Sequence, residues 1–258
     1  FKVQPITSHK TKYKHISNYN TSFFDYSGRV IFEDSEGIIW VETRGCLSRY
    51  HDKTNNLTQY KHIEGDTKSL SHNFIYSTIY EDSKGLLWIG TYGGGLNIYD
   101  KKTNTFKSYQ YNKNTKDGLS DNVVFSVYED KNGIFWLGTN NKLNRFDAKT
   151  GLFSHFGTEE GLPNNVVYGV LPDDFGNLWL STNNGICRFS TKDYSVKNFT
   201  VDDGLQSKEF NGGAFHKGKS GKLYFGGVYG LNAIDPNIKF IEERTYNVVL
   251  TKLEIHGQ

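Results

Sequence analysis

Apolar and polar positions along the chain fall into short blocks whose order repeats. One unit shows it well. Val123 to Tyr128 is an apolar run, continuous enough to be buried on both faces, and is predicted as an innermost strand. Glu129-Asp130-Lys131-Asn132-Gly133 then reads as a tight turn, because Asp and Asn can bond their own backbone and Gly133 can take a positive φ. Ile134 to Gly138 returns as a second strand, Leu143 to Asp147 follows as a third, and Leu152 to Phe156 as an outer one. The unit is therefore a four-stranded antiparallel meander.

The same register recurs in Glu81-Asp82-Ser83-Lys84-Gly85-Leu86-Leu87-Trp88-Ile89-Gly90-Thr91. A further copy runs from Glu33-Asp34-Ser35-Glu36-Gly37 to Trp40 and Thr43, and another through Asp173-Asp174-Phe175-Gly176-Asn177-Leu178-Trp179. A weaker fifth has Gly221-Lys222-Leu223-Tyr224-Phe225-Gly226-Gly227. The turn glycines at 37, 85, 133, 176 and 221 step by 48, 48, 43 and 45 residues. Such a period marks a solenoid or a propeller. A four-stranded sheet cannot bury both faces alone, and radial stacking on its neighbours is the propeller solution. The predicted fold is all-β, with repeats centred on Trp40, Trp88, Trp136, Trp179 and Tyr224 over residues 1–240. Trp residues that recur at one position are read as packing between blades rather than as sugar platforms. Asn73, Asn122 and Asn165, recurring before the innermost strands, are likewise read as structural.

The last unit has strands near Glu209 to His216, Lys222 to Gly226 and Leu231 to Asp235; then Pro236 stops the pattern, leaving a weak or missing outer strand. Residues 1–25 form a lead-in in which Lys12 to Ile16 resembles an outer strand with no blade of its own. It either completes the last blade of a five-bladed ring or belongs to an earlier blade of a longer propeller. Residues 241–258 read as a linker in which Tyr246 to Ile255 alternates as a strand. The chain begins at Phe1 and contains no Met, as expected of a piece of something longer.

Composition narrows the function. The 30 Lys and Arg against 28 Asp and Glu are scattered, which gives a nucleic-acid partner no support. No apolar run approaches the ~18 residues of a membrane helix, and no signal-peptide pattern is present. Cys46 and Cys187 are the only cysteines, and both are read as small apolar residues inside strands. No Gly-x-Ser-x-Gly elbow or His-Glu-x-x-His spacing occurs, and no cofactor or metal is predicted. Gly93-Gly94-Gly95 precedes a strand rather than a helix, so it reads as a hairpin turn and not a phosphate loop. The Glu-Asp pairs at 33, 81 and 129 recur with the turn and are read as turn chemistry rather than glycosidase carboxylates.

Glu-Asp-Ser-x-Gly-Leu-Leu-Trp-Ile-Gly-Thr, followed by Gly94-Gly95-Leu96-Asn97-Ile98-Tyr99-Asp100, Phe106 and Tyr109, resembles the two-component regulator propeller repeat. Glu209-Phe210-Asn211-Gly212-Gly213 and Asp235-Pro236 resemble the closing blade of those propellers, and Val248 to Ile255 the opening of the immunoglobulin-like domain that follows it there. The resemblance implies a periplasmic module, part of an inner-membrane-anchored hybrid histidine kinase, that senses oligosaccharides and signals as a homodimer. It also implies remaining blades in the parent chain. The five visible repeats are then the C-terminal part of a larger, seven-bladed propeller.

Binding residues are expected where the copies differ, on the loops joining the second strand to the third and the outer strand to the next inner one. The first set gives Arg44, Tyr92, Asn140, Asn141, Asn183, Asn184 and Tyr229. His72, Asp121, Asn164 and Lys208 come from the second. Tyr with Asn, Arg and His suits a sugar, whose apolar face stacks on rings while its hydroxyls need fixed donors and acceptors. Two other readings stand beside this one. A propeller enzyme, glycosidase or lyase, predicts converging carboxylates or a metal cluster, and a protein-binding scaffold predicts an apolar patch on the loop face.

Overall fold

The computed structural model describes residues 30–237 apart from 44, 52, 53 and 55. The candidate strands at Lys12 to Ile16 and Tyr246 to Ile255, and Arg44, lie outside the described residues. Blade 1 comprises β1 (Ile31–Glu33), β2 (Ile39–Glu42), β3 (Leu47–His51) and β4 (Asn56–Tyr60). Blade 2 comprises β5 (Ile75–Glu81), β6 (Leu87–Thr91), β7 (Leu96–Asp100) and β8 (Thr105–Tyr109). Blade 3 has β9 (Val124–Glu129), β10 (Ile134–Thr139), β11 (Leu143–Asp147) and β12 (Leu152–Phe156). Blade 4 has β13 (Val167–Pro172), β14 (Asn177–Thr182), β15 (Gly185–Ser190) and β16 (Val196–Phe199). Blade 5 has β17 (Phe210–Lys217), β18 (Leu223–Gly227) and β19 (Gly230–Ile234). Each sheet is a meander in sequence order, and among the described residues the fifth lacks an outer strand. The first strands β5, β9, β13 and β17 contact one another in succession, and β17 also approaches β5, so the sheets fan about a common axis.

The period of the repeat is the period of one packing event. Trp40, Trp88, Trp136 and Trp179 are all buried, each against the following blade. Trp40 shares a cluster with Leu87, Tyr99 and Phe106, and Trp88 stacks on Phe135 with ring centres 3.6 Å apart. Trp136 meets Phe189 edge-on at 5.5 Å, and Trp179 packs among Phe210, Leu223 and Phe225. An exposed blade face of such rings is what makes stacking obligatory.

One carboxylate per blade orients these rings. The indole Nε1–H of Trp40 donates to Asp34 Oδ2 at 2.9 Å, and Trp88 to Asp82 at 2.9 Å. Trp136 to Asp130 and Trp179 to Asp173 repeat it at 3.1 Å. The other carboxylate oxygen closes the hairpin turn. Asp82 Oδ1 accepts from the N–H of Lys84 and of Leu86, both at 2.9 Å, and Asp34, Asp130 and Asp173 do the same in their turns. The turn glycine after it takes a positive φ, +80° at Gly85. In blade 5 both partners change together: Gly218 replaces the aspartate and Tyr224 the tryptophan. A Cβ at Gly218 would lie 3.0 Å from the Tyr224 ring, so the glycine leaves room for it, and the turn keeps its backbone bond from Gly218 N–H to the Lys222 carbonyl at 2.8 Å.

The seams between blades carry a second, more variable contact at the same turns. Glu81 accepts from the Ser35 N–H and hydroxyl of the previous blade at 2.6 and 3.0 Å, and Glu129 from those of Ser83 at 2.7 and 2.8 Å. Between blades 4 and 5 the charges are reversed in place, with Lys217 Nζ 2.9 Å from Asp174. Between blades 3 and 4 the two positions hold Lys131 and Pro172, and a crevice of about 140 Å³ opens there beside Asp130, Asp173 and Thr191. The first seam carries an added ion-pair cluster, in which Lys101 Nζ reaches Asp34 at 3.2 Å, Glu36 at 2.8 Å and Glu81 at 2.9 Å.

Cys187 lies in β15 as expected, but Cys46 does not lie in a strand. It occupies the tight turn before β3, where its N–H donates to the Thr43 carbonyl at 3.0 Å. Both thiols are buried and free. None of the four buried clusters joins blade 5 to blade 1. Ile31 at 75% and Leu231 at 62% exposure leave the two terminal faces uncovered among the described residues.

Asp82→Ala strips the Trp88 indole and two turn amides of their acceptor, and hydrogen bonds to a charged group contribute about 1.5–3 kcal/mol each. We expect a loss of about 3 kcal/mol in urea unfolding, and a loss below about 1 kcal/mol would show that the carboxylate is not the clamp. At the first seam, burial opposes ionisation of Asp34 and Glu81. The hydrogen bonds from Trp40 and the Ile38 N–H to Asp34, those from Ser35 to Glu81, and Lys101 against both outweigh it and hold both carboxyls below their usual range. A lowered folded-state pKa gives stability that is complete above the unfolded value, near pH 5, and is lost as pH falls through the folded value. Lys101→Met should therefore cost about 3 kcal/mol at pH 7 and flatten the decline in urea midpoint below about pH 4.5. Parallel acid profiles for variant and parent would overturn this account.

Candidate functional site

The loops that lead into the innermost strands are built by side chains that cap backbone N–H groups. Asn73, Asn122 and Asn165 accept from the N–H of His62, Tyr111 and Thr158 at 2.7, 2.7 and 2.9 Å, which pins the start of each loop to its end. Asn97 and Asn144, on β7 and β11, accept from the N–H of Ser71 and Ser120 at 2.9 and 3.0 Å. In blade 4 the equivalent pair is Cys187 and Pro163. Proline has no N–H to satisfy, so the acceptor is absent without leaving a buried donor unpaired.

Four of the expected binding residues share in this scaffolding. His72 Nδ1, Asp121 Oδ1 and Asn164 Oδ1 accept from the N–H two residues on, at Phe74, Val123 and Val166, at 3.1, 2.7 and 2.8 Å. The His72 ring also lies against Gly93, 3.5 Å from where a Cβ would stand. The Asn184 side chain donates to the Pro163 carbonyl at 3.1 Å. Asn140 and Asn141 are exposed, and the Asn141 carbonyl accepts from the Ser120 hydroxyl and from Thr139 Oγ1 at 2.9 Å. Lys208 is exposed and its carbonyl accepts from the Gly185 N–H at 2.6 Å. Tyr229, 81% exposed in the β18–β19 turn, belongs to blade 5 and has no aromatic neighbour among the contacts of the described residues.

Tyr92 and Asn183 are placed differently, because they sit on a row of rings that the loops surround. Phe74 meets Tyr92 at 5.7 Å, Tyr92 meets Tyr76 at 5.5 Å, Tyr76 meets Phe125 at 5.6 Å, and Phe125 meets Tyr168 at 4.9 Å. Five rings from blades 2, 3 and 4 thus meet in T-shaped or tilted contacts, a triangle of Phe74, Tyr76 and half-exposed Tyr92 that extends through Phe125 to Tyr168. At the other end Asn183 hydrogen bonds to the Tyr168 hydroxyl. Burial raises the Tyr168 pKa, the Asn183 bond draws it part of the way back, and Tyr76, Glu209 and Tyr92 push it up again. Opposite the row lies Gly212 of β17, where a Cβ would come 2.7 Å from Tyr76 Cε1 and 3.5 Å from Tyr168 Cδ1. The absent side chain lets the first strand of blade 5 close the axis.

Three tiers of this mouth follow from the repeat. The first residue after the capping position is Phe74, Val123, Val166 or Glu209. The residue after the second strand is Tyr92, Asn140, Asn183 or Val228. The N–H groups of Tyr92, Asn140 and Val228 donate to the carbonyls of Phe74, Val123 and Glu209 at 2.8, 3.1 and 3.2 Å, so the two tiers are stitched together. The deepest tier, two residues further along the inner strand, is Tyr76, Phe125, Tyr168 and Asn211. The sequence reading missed Phe74, Tyr76, Phe125 and Tyr168, although the last three stand at one fixed distance from the recurring asparagine, and that spacing was the available signal. No group of three or more His, Cys, Asp or Glu among the described residues could hold a metal ion.

Residues 69–93, 118–141 and 161–184 match the family described as two component regulator propeller. The three matched segments fall in blades 2, 3 and 4. Solved structures agree with the fold. The extracellular domains of two proteins of B. thetaiotaomicron described as hybrid two component systems superpose with TM-scores of 0.71 and 0.69 at 23% and 26% identity. Each covers 81% of this chain, and this chain covers 28% and 29% of them. PorZ of Porphyromonas gingivalis, described as a surface component of the type-IX secretion system, superposes with a TM-score of 0.63 at 14% identity, over 88% of this chain and 34% of its own. The chain thus spans about a third or less of the propeller proteins it resembles. No curated protein matches it. No helix among the described residues is long and apolar enough to cross a membrane.

The Pro163 and Cys187 pairing carries a quantitative consequence. Cys187→Asn buries an amide opposite a residue with no N–H, which costs about 1–3 kcal/mol. Restoring the donor with Pro163→Ser in the same chain should recover at least half of that loss, read as a coupling in a double-mutant cycle by thermal unfolding. Additive losses would mean that the two sites do not speak to each other.

Proposed function

We propose that this chain is a non-catalytic ligand-sensing module of a hybrid two-component signalling protein. It binds oligosaccharides in the periplasm and signals to a cytoplasmic histidine kinase. The observation that carries the ligand class is the row of rings from Phe74 to Tyr168, with Asn183 at its end and Asn140 and Asn211 in its tiers. Pyranose C–H faces pack on aromatic rings, while amide side chains supply donors and acceptors to hydroxyls. The sensor role is supported by the family repeats and by likeness to extracellular domains of hybrid two component systems. Asn141, Asn184, Tyr229, His72, Asp121, Asn164 and Lys208 would frame the mouth, most of them by holding its loops. The remaining blades, an immunoglobulin-like domain and a second copy of the parent would complete the device.

Calorimetric titration of the chain with a panel of oligosaccharides, with thin-layer analysis of the products, tests this. Saturable binding without turnover is expected, and Tyr168→Ala should weaken it about tenfold, the equivalent of about 1.4 kcal/mol. Turnover would replace the sensor reading by the glycosidase or lyase one. Binding unchanged in both Tyr168→Ala and Tyr92→Ala would move the site elsewhere.

A further inference from the structure

The charge of the mouth selects among sugars, an inference that rests on the oligosaccharide reading above. Among the twelve positions of the three tiers in blades 2 to 5, Glu209 is the one charged residue. It stands where the other blades have Phe74, Val123 and Val166, and its carboxylate adds to the forces that keep the Tyr168 hydroxyl protonated. The described loops of this face carry six lysines, at 61, 68, 113, 116, 142 and 208, against nine carboxylates, at 64, 66, 117, 121, 159, 160, 202, 203 and 209. Lys142 pairs with Glu159 at 3.2 Å and Glu160 at 3.9 Å. Lys208 occupies the position of Asn73, Asn122 and Asn165, is exposed, and stands next to Glu209 in the chain. Asp121, beside the first tier, adds a second carboxylate.

We propose that the mouth takes neutral oligosaccharides and rejects those bearing uronate or sulfate groups. An anionic substituent laid on these rings leaves water for apolar faces and Glu209, on a face whose described loops carry more carboxylates than lysines and whose Lys142 is already paired. A neutral hexose meets no such cost, because its hydroxyls find amide partners and its C–H face finds rings.

The test is calorimetry on the whole chain at about 20 mM NaCl, where screening is weak. Maltohexaose, xylohexaose and mannohexaose serve as neutral probes, with tetragalacturonate and a chondroitin sulfate hexasaccharide as acidic ones. At least one neutral probe should bind at least tenfold more tightly than either acidic one, and Glu209→Lys should narrow that gap at least fivefold. Acidic probes binding as tightly as neutral ones overturn the selectivity while leaving the sugar reading intact, as does a gap that Glu209→Lys leaves unchanged. If no probe of either kind binds to saturation, the sugar reading itself fails and the selectivity falls with it.

Discussion

A single carboxylate, shared between a turn and an indole, is the constraint on which the blades depend. Asp34, Asp82, Asp130 and Asp173 each accept from two backbone amides with one oxygen and from a tryptophan Nε1–H with the other. A carboxylate that is buried, as Asp34, Asp82 and Asp173 are, is stable when its oxygens are hydrogen bonded and would not be if unpaired. The arrangement fixes the hairpin locally and aims the ring outward from the sheet, toward the next blade. Burial of that ring then requires the neighbour. Secondary structure and blade stacking are in this way set by the same side chain, and blade 5, where Gly218 and Tyr224 replace the pair, is also the blade whose far face stays uncovered.

Around this clamp, the variable positions change in pairs rather than singly. Ser and Glu across two seams become Asp174 and Lys217 at another, and the Ser-and-Asn pair of blades 2 and 3 becomes Pro163 and Cys187 in blade 4. In each case a donor and its acceptor leave or exchange together, which is what the cost of an unpaired buried polar group demands. The Gly of Trp-x-Gly-Thr obeys the same logic in space. A Cβ at Gly138 would come 2.6 Å from the Val167 carbonyl, and where blade 4 has Ser181 instead, its hydroxyl accepts from the Gly169 N–H at 3.0 Å and the glycine has moved across the contact. The mouth tiers are packed differently, ring against ring, with Tyr76 meeting both Tyr92 and Phe125 and Phe125 meeting Tyr168.

This difference decides what could be read from the sequence. Strands β11 and β12 run as predicted, because hydrophobic spacing, turn residues and the Asp-to-Trp distance all fix one register. Strand β9 begins one residue late because Val123 is drawn into a single bridge with Tyr92. Strands β5 and β17 hold extra residues that the pairing absorbs as irregularities between Ile75 and Ile79 and between Phe210 and Phe215. Cys46 was misplaced because a small buried residue looks alike in a turn and in a strand. The variable loop positions were legible, but a polar residue that caps an amide and one that waits for a ligand share the same letters, as the caps made by His72, Asp121 and Asn164 show. The ring row went unseen for the opposite reason. Tyr76, Phe125 and Tyr168 sit in runs apolar enough to be counted as core, and only the fan of the sheets reveals that they line an axis.

On the proposed sugar-binding reading, the row also ties recognition to the mechanics of the fold. Its rings come from three blades, so a ligand lying across Tyr92, Tyr76, Phe125 and Tyr168 gains contacts that depend on the angles at two seams. One of those seams, between blades 2 and 3, is held by Glu129 and Ser83. The other, between blades 3 and 4, has Lys131 and Pro172 at the clasp positions, and crevices open beside both seams. A ligand can bias a conformation only by the difference in its affinity for the alternatives, and that difference is greatest where the contact spans a joint that can move. The unclasped seam beneath the deepest ring is where binding energy in this chain would be converted into a change of shape.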